Sequence, residues 1–432
     1  MPFSQFLKKA DYLAFFISVV FFYIFYRIVF IKNGVSIFFI LTIYSLLFLS
    51  ICFKLEHIKY YFPKFSFFPV VTALSLWVLQ VAFHPTPLAN IASELTNTQI
   101  LGMYNMNYLY GLPFVFLPCL LLISKYKVEH FFNMIVGFNL VYICFNCYLM
   151  FIKDYSRAHF FEHYNQIITY DFMMLGISSL VLLYSFYLHS ILEKKYLAYC
   201  VLGSAVFAIT LNLLHGTRGV WVIIPFLIIA TAIFYRKSAK KFLIGFFMSI
   251  VLAAGFLSVN SDYIDQRLTA AYQDYTVIQD RSTQATSIGS RLIMWKTAVD
   301  HFESSPLVGV GIYQVAKHLC KMSQEGILAG SCLTHMHSIY FQELASRGIF
   351  GLAALLFSFL YPAFLFFKRW LVKPYSALRH LLTLSGIYTI GIVMLCGLTD
   401  FYFISNVSST LYYLLVISLL TFIHREKPQV FE

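Results

Sequence analysis

The stretch HSIYFQELASRGIFGLAALLFSFLYPAFLFF, residues 337–367, joins a polar segment to a long apolar run. From Ile349 to Phe367 it carries no charged side chain, and an α-helix needs about 20 apolar residues to cross a bilayer. In front of this run, the spacing of Phe341, Leu344 and Ala345 predicts an amphipathic helix that begins near His337 and ends at a glycine. The stretch therefore predicts a short helix outside the membrane, followed directly by a membrane span.

The composition of the whole chain has the same character. Of its 432 residues, 60% are hydrophobic and 12% are charged, whereas soluble domains carry roughly 25% charged residues. The 47 Phe and 31 Tyr suit a lipid-facing surface and interfacial belts. These values exclude a soluble protein and indicate an all-α, polytopic integral membrane protein surrounded by membrane lipids.

Apolar runs of spanning length recur along the chain and predict about twelve transmembrane helices. Lys8 and Lys9 precede the first run, and no small-residue cleavage site follows it, so we interpret it as an uncleaved span rather than a signal peptide. The predicted spans are residues 12–30, 34–53, 66–83, 103–124, 131–152, 167–192, 196–214, 219–235, 242–258, 349–367, 380–398 and 402–422.

The basic residues predict how the spans are oriented. Lys and Arg cluster in alternate short loops, as at Lys194–Lys195 and at residues 236–241, and the positive-inside rule then places both termini in the cytoplasm. The chain divides into spans over 1–258, an external loop domain over 259–348, and spans with a short cytoplasmic tail over 349–432. The net charge of +12 is mostly a signal of topology, so it predicts no nucleic-acid partner.

The long external segment is expected to form a small helical cap. A helix is predicted from Ser290, because apolar residues then recur at helical spacing, and Pro306 with the glycines of residues 308–311 (VGVG) should end it. Residues 263–275 are also expected to be helical. The apolar residues of the first helix are Leu292, Trp295, Val299 and Phe302.

Cys320 and Cys332 are the two cysteines of the chain that lie in this external segment. An oxidising compartment could pair them, and a disulfide and two free thiols are both compatible with the sequence. His335 and His337 raise the question of a metal, but histidines at i and i+2 do not share a helix face. Since no nearby side chain supplies a third ligand at the usual spacing, we predict no metal and no cofactor.

Three polar residues outside the bilayer could carry chemistry: Arg218 between two spans, Arg291 in the first turn of the predicted cap helix, and His337. Each alone has an ordinary interpretation, since an Arg at a membrane exit reaches the headgroups and a lone His is more often structural. Together they suit displacement of a pyrophosphate. Arg neutralises the developing charge through bidentate bonds, and His near neutral pH is a natural general base.

These residues resemble the O-antigen ligase family of Gram-negative inner membranes. The family's pattern is His, then Asn, Ser or Gln, nine residues, Gly, two residues, and Gly, Thr or Tyr. His337, Ser338, Gly348 and Gly351 meet it. Residues 214–219 (LHGTRG) and 287–295 (SIGSRLIMW) add to the likeness, as does the large loop between the ninth and tenth predicted spans.

The resemblance implies substrates and roles. The donor would be an O-antigen glycan on undecaprenyl pyrophosphate, the acceptor a terminal sugar of lipid A-core, and the reaction metal-independent and inverting on the periplasmic face. Arg218 and Arg291 would bind the pyrophosphate and His337 would activate the acceptor hydroxyl. Arg267 is a further expected phosphate contact, whereas Arg347 could equally cap the end of its helix through backbone carbonyls.

Two relatives with the same donor, an O-antigen polymerase and a protein O-oligosaccharyltransferase, stay open because the Arg residues and the His do not separate their acceptors. The full match to the His-Ser-x9-Gly-x2-Gly pattern and the short tail favour the ligase. A transporter or flippase is a different class, and it predicts ionisable residues deep in the spans. The apolar runs are nearly free of charge, with Asp171 as an exception, which disfavours transport.

Overall fold

The computed structural model describes residues 63–84, 108–124, 126–152, 167–191, 195–236, 239–259, 287–329, 332–373, 376–400, 402–404 and 406–426, with isolated residues 17, 21, 269 and 272. Within these ranges all regular secondary structure is helical. Nine of the described helices are long and apolar enough to cross a membrane. The predicted all-α, multi-pass membrane fold is confirmed.

The α-helices are numbered here in chain order. They are α1 Phe68–Phe83, α2 Leu117–Ile123, α3 Val128–Phe151, α4 Ile167–Ile191, α5 Lys195–Leu214, α6 Arg218–Tyr235, α7 Lys240–Val259, α8 Ser287–Ser304, α9 Ile312–Gln324, α10 Ile339–Trp370, α11 Ala377–Thr399 and α12 Asn406–Arg425. The nine spanning helices are α1, α3 to α7 and α10 to α12, each at a predicted span. The predicted spans 12–30 and 34–53 lie outside the described residues, apart from the helical, buried Ile17 and Phe21.

The predicted span over 103–124 is not one continuous helix in its described part. Residues 108–124 form a 3₁₀ helix, Tyr108–Val115, and then the seven-residue α2. Pro113 and Pro118 explain the break, because proline lacks a backbone N–H and its ring clashes with the preceding helical turn. Pro118 lies in the first turn of α2, where proline is tolerated.

The helices α4 and α12 form the centre of the bundle and are almost entirely buried. The helix α4 packs against α5 and α11, and α10 packs against α1 and α11. By contrast, α6 and α7 lie at the periphery, where Val222, Phe226 and Ile229 of α6 are more than half exposed. Apolar side chains on such an outer face suit contact with lipid.

The cap has a hydrophobic core of its own. It is formed by α8, α9 and the first turns of α10, which enclose Met294, Ala298, Val315, Leu319, Leu328, Met336 and Ala345. The helix predicted from Ser290 begins slightly earlier, at Ser287, and ends at Ser304 before Pro306 as expected.

Cys320 and Cys332 form a disulfide. Of the two alternatives that the sequence left open for these cysteines, the structure therefore has the disulfide. The predicted helix over 263–275, including Arg267, falls outside the described residues except for two positions.

Gly348 divides α10 into the two helices that the sequence predicts. Its backbone angles are φ 61° and ψ −155°, a region that is essentially restricted to glycine. On either side of it the chain pairs with the loop after α8: the Ile349 amide donates to the Pro306 carbonyl at 2.9 Å, and the Val310 amide to the Ala345 carbonyl at 2.9 Å. These bonds hold the cap against the top of the membrane span.

Arg347 fills neither of the roles that the sequence left open for it. Its side chain is 1% exposed, and its Nη1 lies 2.5 Å from Oε2 of the equally buried Glu343. Its Nε donates to the Leu76 carbonyl of α1 at 3.0 Å. Arg347 therefore ties the first half of α10 to α1, which keeps it away from both a phosphate and its own helix end.

Candidate functional site

Arg218 and Arg291 line one cavity of about 380 Å³ between the start of α6, α8 and the end of α11. Arg218 is the first residue of α6. Arg291 is the fifth residue of α8, at its second turn rather than its first, because the helix begins before Ser290. The structure thus brings together the two guanidiniums that the sequence singled out, with Phe172, Trp295 and Asp400 around them. Two guanidiniums facing one cavity suit a ligand with several anionic oxygens.

The turn before Arg218 is held by a buried carboxylate. Thr217 is the N-cap residue, yet its side chain does not cap the helix. Its hydroxyl donates instead to Oδ2 of Asp171, while His215 Nδ1 lies 2.5 Å from Oδ1 of the same carboxylate. The first backbone N–H groups of a helix attract anions, so they add to the positive potential from Arg218.

His337 stands in a strained loop just before α10. Its φ is 46°, and it is the one non-glycine residue with positive φ in the described part of the chain. The loop is held from both sides, because the Trp295 indole donates to the Met336 carbonyl at 3.1 Å and the Met336 amide donates to Gln342 Oε1 at 2.9 Å. Backbone strain of this kind persists only where the surroundings enforce it and is concentrated at functional sites.

Asp400 connects His337 to the cavity. Its carboxylate Oδ1 lies 3.4 Å from His337 Nδ1, and Asp400 also lines the cavity with the two Arg residues. Nearby, the Tyr340 hydroxyl donates to the Met394 carbonyl at 2.9 Å, which holds the start of α10 against α11. Sequence reasoning missed Asp400. Its signal was weak, an acidic residue just after the predicted span 380–398, and only the fold brings it to His337.

His335 completes a group with His337 and Asp400. The ligand atoms of the three lie within 4.8 Å of one another, the one such trio that could hold a metal ion among the described residues. Asp400 is thus the third ligand that spacing along the chain did not supply. Burial lowers the pKa of His335 to about 3, with further lowering from His337 and Arg291 against the opposing effect of Asp400. Asp400 favours a cation at this trio, whereas Arg291 opposes one.

Asp171, the one acidic exception inside an apolar run, faces this turn rather than a path across the membrane. It is fully buried, and its two oxygens are engaged by His215 and Thr217. The described spans therefore give no support to the transport alternative at this position.

Comparison with known proteins agrees with the resemblance seen in the sequence. Residues 203–356 match the model of a family described as O-antigen ligase. The matched range contains Arg218, Arg291 and His337, whereas Asp171 and Asp400 lie outside it. The chain is 24% identical over 230 residues to an O-antigen ligase of Escherichia coli, which is 52% of this chain and 51% of that protein. It is 26% identical over 188 residues to an uncharacterized protein of Haemophilus influenzae, 42% of this chain and 47% of that protein.

These matches confirm the resemblance to the O-antigen ligase family. The chain spans about half the length of the curated relatives it matches.

Proposed function

We propose that this chain, which resembles O-antigen ligases over residues 203–356, is a membrane glycosyltransferase. It would move an O-antigen polysaccharide from undecaprenyl pyrophosphate to a sugar hydroxyl of lipid A-core, in the biosynthesis of lipopolysaccharide. The observation that carries the proposal is the shared cavity: Arg218 and Arg291 line it together with Asp400, and Asp400 contacts His337. Groups able to hold a leaving pyrophosphate and to accept a proton therefore lie side by side.

In this reaction the acceptor hydroxyl attacks the anomeric carbon of the donor sugar. The new bond from that carbon to the acceptor oxygen forms as its bond to the pyrophosphate oxygen breaks, which inverts the carbon. His337 takes the hydroxyl proton at Nε2, because Nδ1 faces Asp400, and the carboxylate stabilises the imidazolium that forms. The departing pyrophosphate carries the electron pair into the cavity.

Arg218 and Arg291 neutralise the charge that grows on the leaving group. Charge-assisted, bidentate bonds from Arg are among the strongest that a protein offers to phosphate, and removal of one such stabilising donor typically costs about 10²–10³ in rate. The N–H groups at the start of α6 add to this field. With two guanidiniums present, the proposed reaction needs no metal.

The lipid tail of the donor has a path beside the cavity. Val222 lines the cavity and is 62% exposed, and Phe226 and Ile229 continue the same exposed face of α6. A polyprenyl chain could lie along this face within the bilayer while its pyrophosphate reaches the cavity. The proposal places the protein in the bacterial inner membrane with both termini in the cytoplasm and with the cap, within residues 259–348, on the periplasmic side.

The test is complementation of a strain that lacks its own ligase. Wild type, Arg218→Ala, Arg291→Ala and His337→Ala would be compared at matched membrane expression, with polymerised glycan followed separately on lipid A-core and on the polyprenyl carrier. Arg236→Ala and His318→Ala are matched controls, since both residues are exposed and lie outside the cavity.

We expect wild type and both controls to move long glycan onto lipid A-core, and the three site variants to leave it on the carrier. Long glycan that accumulates on the carrier only when wild type is present would identify a polymerase instead. Site variants that transfer as well as the controls would refute the assigned roles.

A further inference from the structure

We infer that Asp171 is a positioning residue for the anion site: its buried carboxylate holds the turn that presents Arg218. This inference rests on the proposed function, because it assigns a role in binding the pyrophosphate of the donor. It concerns a residue of the membrane bundle that lies outside the family match, which begins at residue 203.

The first observation is the pair of hydrogen bonds that Asp171 accepts. Asp171 belongs to α4, whereas His215 and Thr217 belong to the turn between α5 and α6. His215 Nδ1 lies 2.5 Å from Oδ1, and the Thr217 hydroxyl donates to Oδ2. All three side chains are buried. A carboxylate bonded through both oxygens fixes the turn to α4 more firmly than packing alone, since bonds to charged groups are stronger than neutral ones.

The second observation is that the residue after Arg218 packs closely against α4 and α11. A Cβ placed on Gly219 would lie 2.8 Å from the ring of Phe172 and 3.1 Å from Oγ1 of Thr399. Phe172 follows Asp171, and Thr399 precedes Asp400. The residue after Arg218 is therefore held between the helix of Asp171 and the end of the helix that leads to Asp400. Asp171 thus holds the turn before Arg218 at the place where this turn packs against α4 and against the end of α11, next to Asp400.

The third observation concerns the hydroxyl of Thr217. A threonine at an N-cap position normally accepts a bond from the N–H of the second or third helical residue. Here that side chain makes no cap bond, and the hydroxyl donates to Asp171. The hydroxyl therefore ties the turn to α4 instead of stabilising the start of α6.

Binding of inorganic pyrophosphate to the purified protein in detergent, measured by calorimetry, tests this role separately from glycan transfer. Thr217→Val removes the hydroxyl at nearly constant volume, whereas Thr217→Ser keeps it. Thr231→Val is the matched control, because Thr231 is also buried in α6 and bonds the Leu227 carbonyl and the Tyr388 hydroxyl, far from the cavity. Asp171→Ala, Arg218→Ala and their double variant complete a thermodynamic cycle.

We expect Thr217→Val to weaken pyrophosphate binding about tenfold, because loss of a hydrogen bond to a charged group lowers the population of the turn that holds Arg218 in place. Thr217→Ser should bind more tightly than Thr217→Val, and Thr231→Val should match wild type. The double variant should bind no more weakly than Arg218→Ala, because Asp171 acts through Arg218 and its turn. The comparison of Thr217→Val with Thr217→Ser still tests the inference if Asp171→Ala does not fold.

Four results would overturn the inference. Thr217→Val binding like Thr231→Val would show that the hydroxyl does not matter. Additive losses in the double variant would show that Asp171 does not act through Arg218. Wild type that binds no pyrophosphate would remove the proposed function as well, whereas binding that needs Arg218 but not Thr217 or Asp171 would remove this inference alone.

Discussion

Replacement of Gly348 by alanine should uncouple the cap from the membrane bundle. The residue sits at φ 61° and ψ −155°, so an L side chain there is strained by about 1–3 kcal/mol. The new methyl group would also lie 2.5 Å from the carbonyl carbon of Leu307 and 2.6 Å from the Pro306 oxygen. Both neighbours are backbone atoms, which cannot turn aside as a flexible side chain does.

The two contributions have similar sizes. Overpacking of a close contact costs about 1–3 kcal/mol, so strain and overlap together destabilise the folded protein by about 2–6 kcal/mol. The chain can relieve the overlap only by moving the 306–311 segment, and this breaks the bonds from Ile349 and Phe350 to the carbonyls of Pro306 and Leu307. His337 directly precedes the first half of α10, so glycan transfer should fall further than the amount of folded protein.

Thermal unfolding of the purified protein in detergent, together with the transfer assay, measures both effects. Gly203→Ala is the matched control: Gly203 also lies within a helix, and a Cβ there meets no atom within 4 Å. Alanine should be neutral or mildly stabilising at that position. If Gly348→Ala unfolds at the wild-type temperature and transfers normally, the kink does not couple the cap to the bundle and the reasoning fails.

Three further predictions concern stability. Below its ordinary pKa of 6.5, His335 is protonated in the unfolded chain but not in the folded one, where the pKa is about 3. Each pH unit below 6.5 should therefore cost at most about 1.4 kcal/mol of unfolding free energy, and His335→Gln should flatten this dependence in thermal unfolding between pH 7 and pH 4. Glu343→Leu removes the buried counter-charge of Arg347 and should cost about 3–5 kcal/mol. The double variant Glu343→Leu/Arg347→Met should recover most of that loss in the same measurement, and equal losses would contradict the pairing. Replacement of Cys320 and Cys332 by serine should destabilise the cap by about 3 kcal/mol, seen as faster limited proteolysis. A reducing agent should speed proteolysis of the wild-type cap to the same extent and should not change the proteolysis rate of the serine variant.

The membrane architecture could be predicted from the sequence because its signal is local. A run of apolar residues such as 349–367 reports a span through its own composition, and Gly348 marked the helix end correctly. The break in the helix within residues 103–124 was not predicted, because average hydropathy does not register Pro113 and Pro118. These prolines interrupt the backbone hydrogen bonds without making the run less apolar.

The site was predictable only as far as its residues carry a pattern along the chain. Arg218, Arg291 and His337 sit in recognisable short motifs, and the fold places Arg218 and Arg291 in one cavity and His337 beside it. Asp400 and Asp171 carry no such motif, and each reaches its partners through helix packing between distant segments. The same limit explains why a third metal ligand was not expected beside His335 and His337.

The order in which these residues leave the ribosome has a consequence for biogenesis. Asp171 is made early and Asp400 near the end of the described chain, and in the proposed topology the cap between them is exported before its disulfide closes. Folding during synthesis proceeds from the N-terminus, so a nascent chain holds its guanidiniums long before the carboxylate that faces His337 is inserted. Under the proposed mechanism, we therefore expect glycan transfer to begin only after the helix that leads to Asp400 has joined the bundle.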